Sequence, residues 1–258
     1  MHLLGLIGYP LSHSFSERYF AEKFNRMGIA SICYMLFPLP ELSALPDLLS
    51  QYPNLRGFNV TIPHKKAILP YLDDLDPTAK AIGAVNTVVV KAGRLLHGYN
   101  TDAEGFQQAL LAWIHAQGAS LSLWQKEKAL ILGTGGSAQA VSYALKQLGI
   151  AHQFVSRRPK TAEQLSYADV DDPQLWDRVR LLVNTTPLGM YPAVNTCPNL
   201  PFEYINERHW VFDLVYNPSE TLLLQRAKRQ GAHTTNGLDM LYRQAEAAWA
   251  IWQKEVLS

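Results

Sequence analysis

The segment Gly133-Thr134-Gly135-Gly136-Ser137 lies between a short apolar run and a helical pattern. At such a junction glycines let the backbone turn tightly and approach a pyrophosphate, and the helix start offers oriented N–H donors. The spacing departs from Gly-x-Gly-x-x-Gly, so an ordinary strand-to-helix turn is the competing reading. The next strand runs into Ser156-Arg157-Arg158-Pro159-Lys160. A carboxylate there would suit the 2′-hydroxyl of NAD(H), whereas guanidinium groups bond a 2′-phosphate or stack on adenine. The position predicts NADP(H) over NAD(H), against the alternative of a solvated basic loop.

Five further polar clusters fall at strand ends or helix starts, where open α/β folds keep their chemistry. They are Ser14-Phe15-Ser16, the run from Asn59 through Thr61 and His64 to Lys65, Gly83 to Thr87 with Asn86, Asn100-Thr101-Asp102, and Gln244. Each has a structural reading as well. Ser14 with Glu17 makes a capping box, Asp102 can cap a helix, and Lys65 can be a solvated lysine after Pro63. His64 and His13 are read as peripheral, because adjacent side chains point apart.

In order along the chain, Gly-Tyr-Pro-Leu followed by Ser-x-Ser, Asn-Val-Thr-Ile-Pro-His-Lys, Gly-Ala-Val-Asn-Thr and Asn-Thr-Asp resemble the substrate motifs of shikimate dehydrogenases. Gly-Thr-Gly-Gly resembles that family's cofactor turn, and Asn184-Thr185-Thr186-Pro187-Leu188-Gly189-Met190 its nicotinamide-side loop. The runs 213–218 and 236–244 complete a likeness that extends from end to end. Ser156-Arg157-Arg158 departs from the Asn-Arg-Thr frequent in the family, and no long tail follows the last helix.

The resemblance implies reversible NADPH-dependent reduction of 3-dehydroshikimate to shikimate in the chorismate pathway of aromatic amino-acid biosynthesis. Reducing a ketone needs a hydride on carbon and a proton for the developing alkoxide. Lys65 suits the proton, since an ammonium stabilises negative charge and then gives up its proton. Asp102 would hold it by a charge-assisted bond. The resemblance implies that pairing, assigns Ser14 and Ser16 to a carboxylate and brings Tyr216 to the substrate. Thr61, Asn86 and Gln244 match ring hydroxyls, and Asn59 is expected among the substrate-binding residues. Cofactor contacts are expected from Gly133, Thr134, Gly135, Gly136, Ser137, Ser156, Arg157, Arg158, Thr185, Leu214, Gly237 and Met240; for Met240, core packing is the alternative. No metal is expected. The rival readings are an NAD-using quinate/shikimate dehydrogenase and a non-catalytic ligand-binding relative.

These residues need a scaffold, and the pattern supplies one. Short β-rich runs alternate with helical periodicity, which predicts parallel α/β architecture. Strands are expected at 3–8, 33–37, 57–62, 129–132, 153–156, 181–184 and 210–214, with a hairpin over 87–98. Helices are expected from Phe15 to a stop at Gly28 with Met27 on the apolar face, around 42–49, after Asp102, over 137–148, over 219–230 and from Leu238 onward. The organisation predicted is a substrate domain over 1–104, joined by the C-terminal helix 237–258, and a Rossmann-like NADP-binding domain over 105–236, with a cleft between them.

Composition narrows the class. The 258 residues are 48% hydrophobic and 17% charged, enough apolar material for a sizeable core. Lys and Arg number 23 against 22 acidic residues, so no basic excess marks a nucleic-acid or anionic-membrane surface. Cys33 and Cys197 form no metal or disulfide pattern and fit a reducing compartment. No run approaches the ~18 apolar residues of a membrane span. The expectation is a soluble cytoplasmic enzyme of small molecules, monomeric or homodimeric, with Asn59 and Asn184 fortuitous as sequons.

Overall fold

The apolar N-terminal run forms β1 (His2–Gly8), buried from Leu3 onward and so flanked by layers on both faces. The computed structural model describes residues 1–11 and 15–257. The chain divides into two compact units, Met1–Thr101 with Ala245–Ser258 and Asp102–Gln244.

In the first unit β1 pairs in parallel with β2 (Ile32–Pro38) and β3 (Leu55–Val60). The crossovers contain α1 (Phe15–Arg26) and α2 (Leu45–Gln51). Next come β4 (Asp74–Leu75), α3 (Pro77–Ile82), β5 (Thr87–Val90) and β6 (Leu96–Tyr99). The strand order is β2-β1-β3-β5-β6-β4, with β5 antiparallel to both β3 and β6. The sheet is therefore mixed, parallel at its β2-β1-β3 side. One face packs Leu3, Ile7, Phe58, Val60 and Val88 against α2 residues such as Leu45. The other packs Leu4, Leu6, Phe20, Phe24 and Tyr34 against Ala245, Ala248, Trp249 and Trp252. Each such large side chain stabilises by about 1.5–3 kcal/mol on burial.

The second unit opens with α4 (Asp102–Ala116) and α5 (Leu121–Trp124). It continues through β7 (Lys128–Leu132), α6 (Gly136–Gln147), β8 (Ala151–Val155), α7 (Pro173–Trp176) and β9 (Val179–Asn184). Then follow β10 (Trp210–Asp213), α8 (Leu222–Arg229), β11 (His233–Asn236) and α9 (Leu238–Trp252), whose last turns belong to the first unit. The order β11-β10-β9-β7-β8 is parallel throughout. From β7 the chain steps one way to β8 and the other way to β9, so the winding reverses at the carboxyl end of β7, the position of ligand sites in doubly wound folds.

The structure departs from the sequence pattern in places. The helix expected over 219–230 begins at Leu222, because Thr221 turns its side chain to accept the Leu224 N–H and caps it. Met27 lies beyond α1 and is exposed, so it is not on the apolar face. Strands β4 and β11 and helices α3, α5 and α7 add to the expected elements.

Candidate functional site

The polar clusters of the first unit gather along one sheet edge. Parallel pairing sets Ile7 of β1 beside Val60 of β3, so Thr61 N donates to Ile7 O at 2.9 Å. Antiparallel pairing sets Thr87 opposite both Asn59 and Tyr99. The carboxyl ends of β1, β3 and β6 therefore share an edge with the amino end of β5. Ser16, Thr61, Lys65, Asn86 and Thr101 sit on the segments that leave this edge. The loop after β3 is tied down where Val85 N donates to Lys65 O at 2.8 Å. Asp102 follows Thr101 directly, opens α4 and is 4% exposed. Ser14 and His13 lie outside the described residues.

A buried hydrogen-bond network joins these ends. Asn59 Nδ2 donates to Asn86 O and to Thr87 Oγ1, both at 3.1 Å, and its Oδ1 accepts from Tyr34 Oη at 2.8 Å. Tyr34 also bonds the Ser16 side chain, and burial pushes its phenol well up from the ordinary range. Asn86 Oδ1 accepts from Thr101 N at 2.7 Å while its Nδ2 donates to Thr101 Oγ1 at 2.9 Å. The Asn59 amide is thus engaged with protein on both sides, as a strut for the strand ends. Thr61 and Lys65 are half-buried. His64 is buried with Nε2 against the Leu39 carbonyl.

In the second unit the glycine turn follows β7, between β8 and β9. Gly133 has φ +106, and a Cβ there would meet Thr185 Oγ1 at 2.9 Å, so the turn requires glycine. Thr185 fixes its neighbour by donating from N and Oγ1 to Leu132 O at 3.1 and 2.6 Å. Gly135, with nothing within 4 Å of a built Cβ, caps α6 without a side chain. Space beside Gly135 and the helix start behind it fit a dinucleotide pyrophosphate. Thr134 and Ser137 lie half-buried on the same turn. Ser156 Oγ accepts from Arg158 N at 3.2 Å, and the Arg157 and Arg158 side chains are exposed just past β8. That exposure leaves both cations able to meet a 2′-phosphate.

At the carboxyl ends of β9 and β10, Leu214 N donates to Asn184 O at 2.9 Å and Gly237 N to Val215 O at 3.3 Å. A Cβ on Gly237 would fall 2.2 Å from Leu214 O, which explains that glycine. Tyr216 is half-buried on the same connection. Met240 is buried in the core with Phe106 and Phe212. Gln244 is half-buried, its Nε2 donating to Leu241 O at 2.9 Å.

One buried group falls outside the site residues expected from sequence. Asp213 is fully buried, and desolvation pushes its carboxyl up to about 6 against the donors Thr221, Val215 N and Asn184. Its only sequence signal is its place at the head of the 213–218 motif. Among the described residues no group of three or more His, Cys, Asp or Glu side chains could hold a metal ion. Among them, too, no helix is long and apolar enough to cross a membrane.

Known proteins are similar to this chain in sequence and fold. A family model for the shikimate dehydrogenase substrate binding domain matches residues 6–88. A shikimate dehydrogenase (NADP(+)) of Moorella thermoacetica is 39% identical over 97% of this chain and 87% of its own length. That of Desulforamulus reducens is 36% identical over 96% and 88%. The structure of shikimate 5-dehydrogenase from Thermus thermophilus in complex with NADP(H) and shikimate superposes with a TM-score of 0.81. It is 35% identical, covering 98% of this chain and 93% of that one.

Proposed function

Since this chain belongs to the shikimate dehydrogenase family, we propose that it catalyses the reversible NADPH-dependent reduction of 3-dehydroshikimate to shikimate. The observation that carries this reading is the gathering of the Thr61, Lys65 and Asn86 segments at one sheet edge, with Asp102 directly after Thr101. The first unit is read as the substrate domain and the second as the NADP(H) domain.

Lys65 serves as general acid in reduction and as base in oxidation. Its ammonium stabilises charge developing on the carbonyl oxygen and delivers the proton there. Asp102 orients that ammonium by a charge-assisted hydrogen bond. Ser14 and Ser16 bind the ring carboxylate with hydroxyl donors, which avoids burying a guanidinium. Thr61, Asn86, Gln244 and Tyr216 recognise hydroxyls, and Asn59 supports them from behind. A substrate lacking one of those hydroxyls leaves buried groups unpaired, which is a strong basis for selection.

NADPH, when bound, supplies the hydride. Gly133, Thr134, Gly135, Gly136 and Ser137 hold its pyrophosphate, and Ser156, Arg157 and Arg158 its 2′-phosphate. Thr185, Leu214 and Gly237 line its nicotinamide side. The enzyme is read as cytoplasmic. The test is loss of NADPH absorbance on adding 3-dehydroshikimate, with NADH in parallel. Turnover with NADPH and little with NADH is expected. Turnover with NADH alone would overturn the cofactor assignment, and silence with both, from folded protein, would overturn the reaction.

A further inference from the structure

Asp213 is an unusual hub. Its carboxylate stands at the end of β10 and receives three donors from three different segments. Asn184 Nδ2, at the end of β9, donates to Oδ1 at 2.8 Å. Val215 N, which follows on the chain toward Tyr216, donates to the same oxygen at 3.0 Å. Thr221 Oγ1, the cap of α8, donates to Oδ2 at 2.6 Å. Asn184 passes the constraint on, since its Oδ1 accepts from Thr186 N and Oγ1 at 3.1 and 2.7 Å. Thr186 Oγ1 in turn accepts from Leu188 N at 3.3 Å.

None of the three donors is a cation, so the carboxylate is not there to complete an ion pair. It is there because three donors converge, and only a carboxylate accepts on every side. The segments it joins are those bearing Thr185, Leu214 and Tyr216, while Arg157 and Arg158 follow β8, at the far edge of the sheet. Resting on the reading of this unit as the NADP(H) domain, we propose that Asp213 is a positioning residue for the nicotinamide end of the cofactor. It acts through Asn184 and Val215 and leaves the adenine end untouched.

That separation of ends supplies the test, run on the full chain by calorimetric titration with NADPH and with 2′,5′-ADP, the fragment holding only the adenine side. Asp213→Ala leaves the donors without an acceptor, and Asn184→Ala severs only the link to the 184–190 loop. Both should weaken NADPH by on the order of tenfold and leave 2′,5′-ADP unchanged. Asp213→Asn keeps an oxygen for Asn184 and Val215 and can donate to Thr221, so its NADPH affinity should stay within about twofold of the parent. Should Asp213→Ala not fold, Asn184→Ala carries the comparison. Equal weakening of both ligands would mean general loosening and overturn the proposal, as would unchanged NADPH affinity in the alanine variants. A parent protein that binds neither ligand would refute the cofactor reading itself, and the proposal with it.

Discussion

The Tyr34 hydroxyl donates to Asn59 Oδ1 at 2.8 Å, and the direction of that bond is fixed by what lies behind it. Asn59 Nδ2 faces the Asn86 carbonyl, which can only accept, so Oδ1 must face Tyr34. The one phenolic proton is then committed to Asn59, and the bond between Tyr34 and Ser16 must be donated by Ser16. A directed chain therefore runs from the start of α1 through β2 and β3 to the amino end of β5.

Tyr34→Phe tests the value of that chain. The ring keeps its stacking on Phe20, with centroids 4.6 Å apart, so packing is preserved while Asn59 Oδ1 is left buried without its donor. The expected loss is about 1–3 kcal/mol in urea unfolding. Unchanged stability would show that water or a rearranged amide replaces the phenol.

Lys65 and Asp102 should separate chemistry from folding. Lys65→Ala and Asp102→Asn are each expected to lower kcat by roughly 10²–10⁴-fold, the usual worth of a positioned proton donor. Far-ultraviolet circular dichroism and NADPH affinity should stay near those of the parent protein. A Lys65→Ala enzyme with near-normal kcat would remove Lys65 from the proton's path.

The parts legible in the sequence are those where local pattern and tertiary role agree. The runs that became β1, β7 and β10 are mostly apolar and bounded by Gly or polar turns, and they pair as buried parallel strands. The strand β11, His-Thr-Thr-Asn, is half-buried at a sheet edge and offers neither alternation nor an apolar run. β4 has only two residues, and it exists because β6 is there to pair with it. Thr221 reads as a residue inside the helix expected over 219–230 until Asp213 and Leu224 are brought to it. At the candidate site the motifs name Asn59, Asn86 and Thr101, which the structure brings together, but not the bonds they make. That Asn59 is a strut, or that Asp213 is buried with no counter-ion among the described residues, depends on strands far apart in sequence meeting at one sheet.

Asp213 also sets a pH dependence. Its folded-state value is raised from 3.8 to about 6, first by desolvation, with the Thr221, Val215 and Asn184 bonds opposing. An acid raised on folding is held protonated by the folded chain, so its stabilising effect is complete below about 4. It is lost as pH climbs from there through about 6, because the unfolded chain ionises first. That rise corresponds to at most ~3 kcal/mol. The nearby thiol of Cys197, with Arg226 beside it, is pushed up to about 11 chiefly by burial and stays neutral over this range. Asp213→Asn removes the titration while keeping the shape, so the stability difference between variant and parent should shift in the variant's favour between pH 4 and 7. Chemical unfolding at both pH values reads this directly. A difference that stays constant with pH would mean that the Asp213 carboxyl ionises as readily in the folded chain as in the unfolded one.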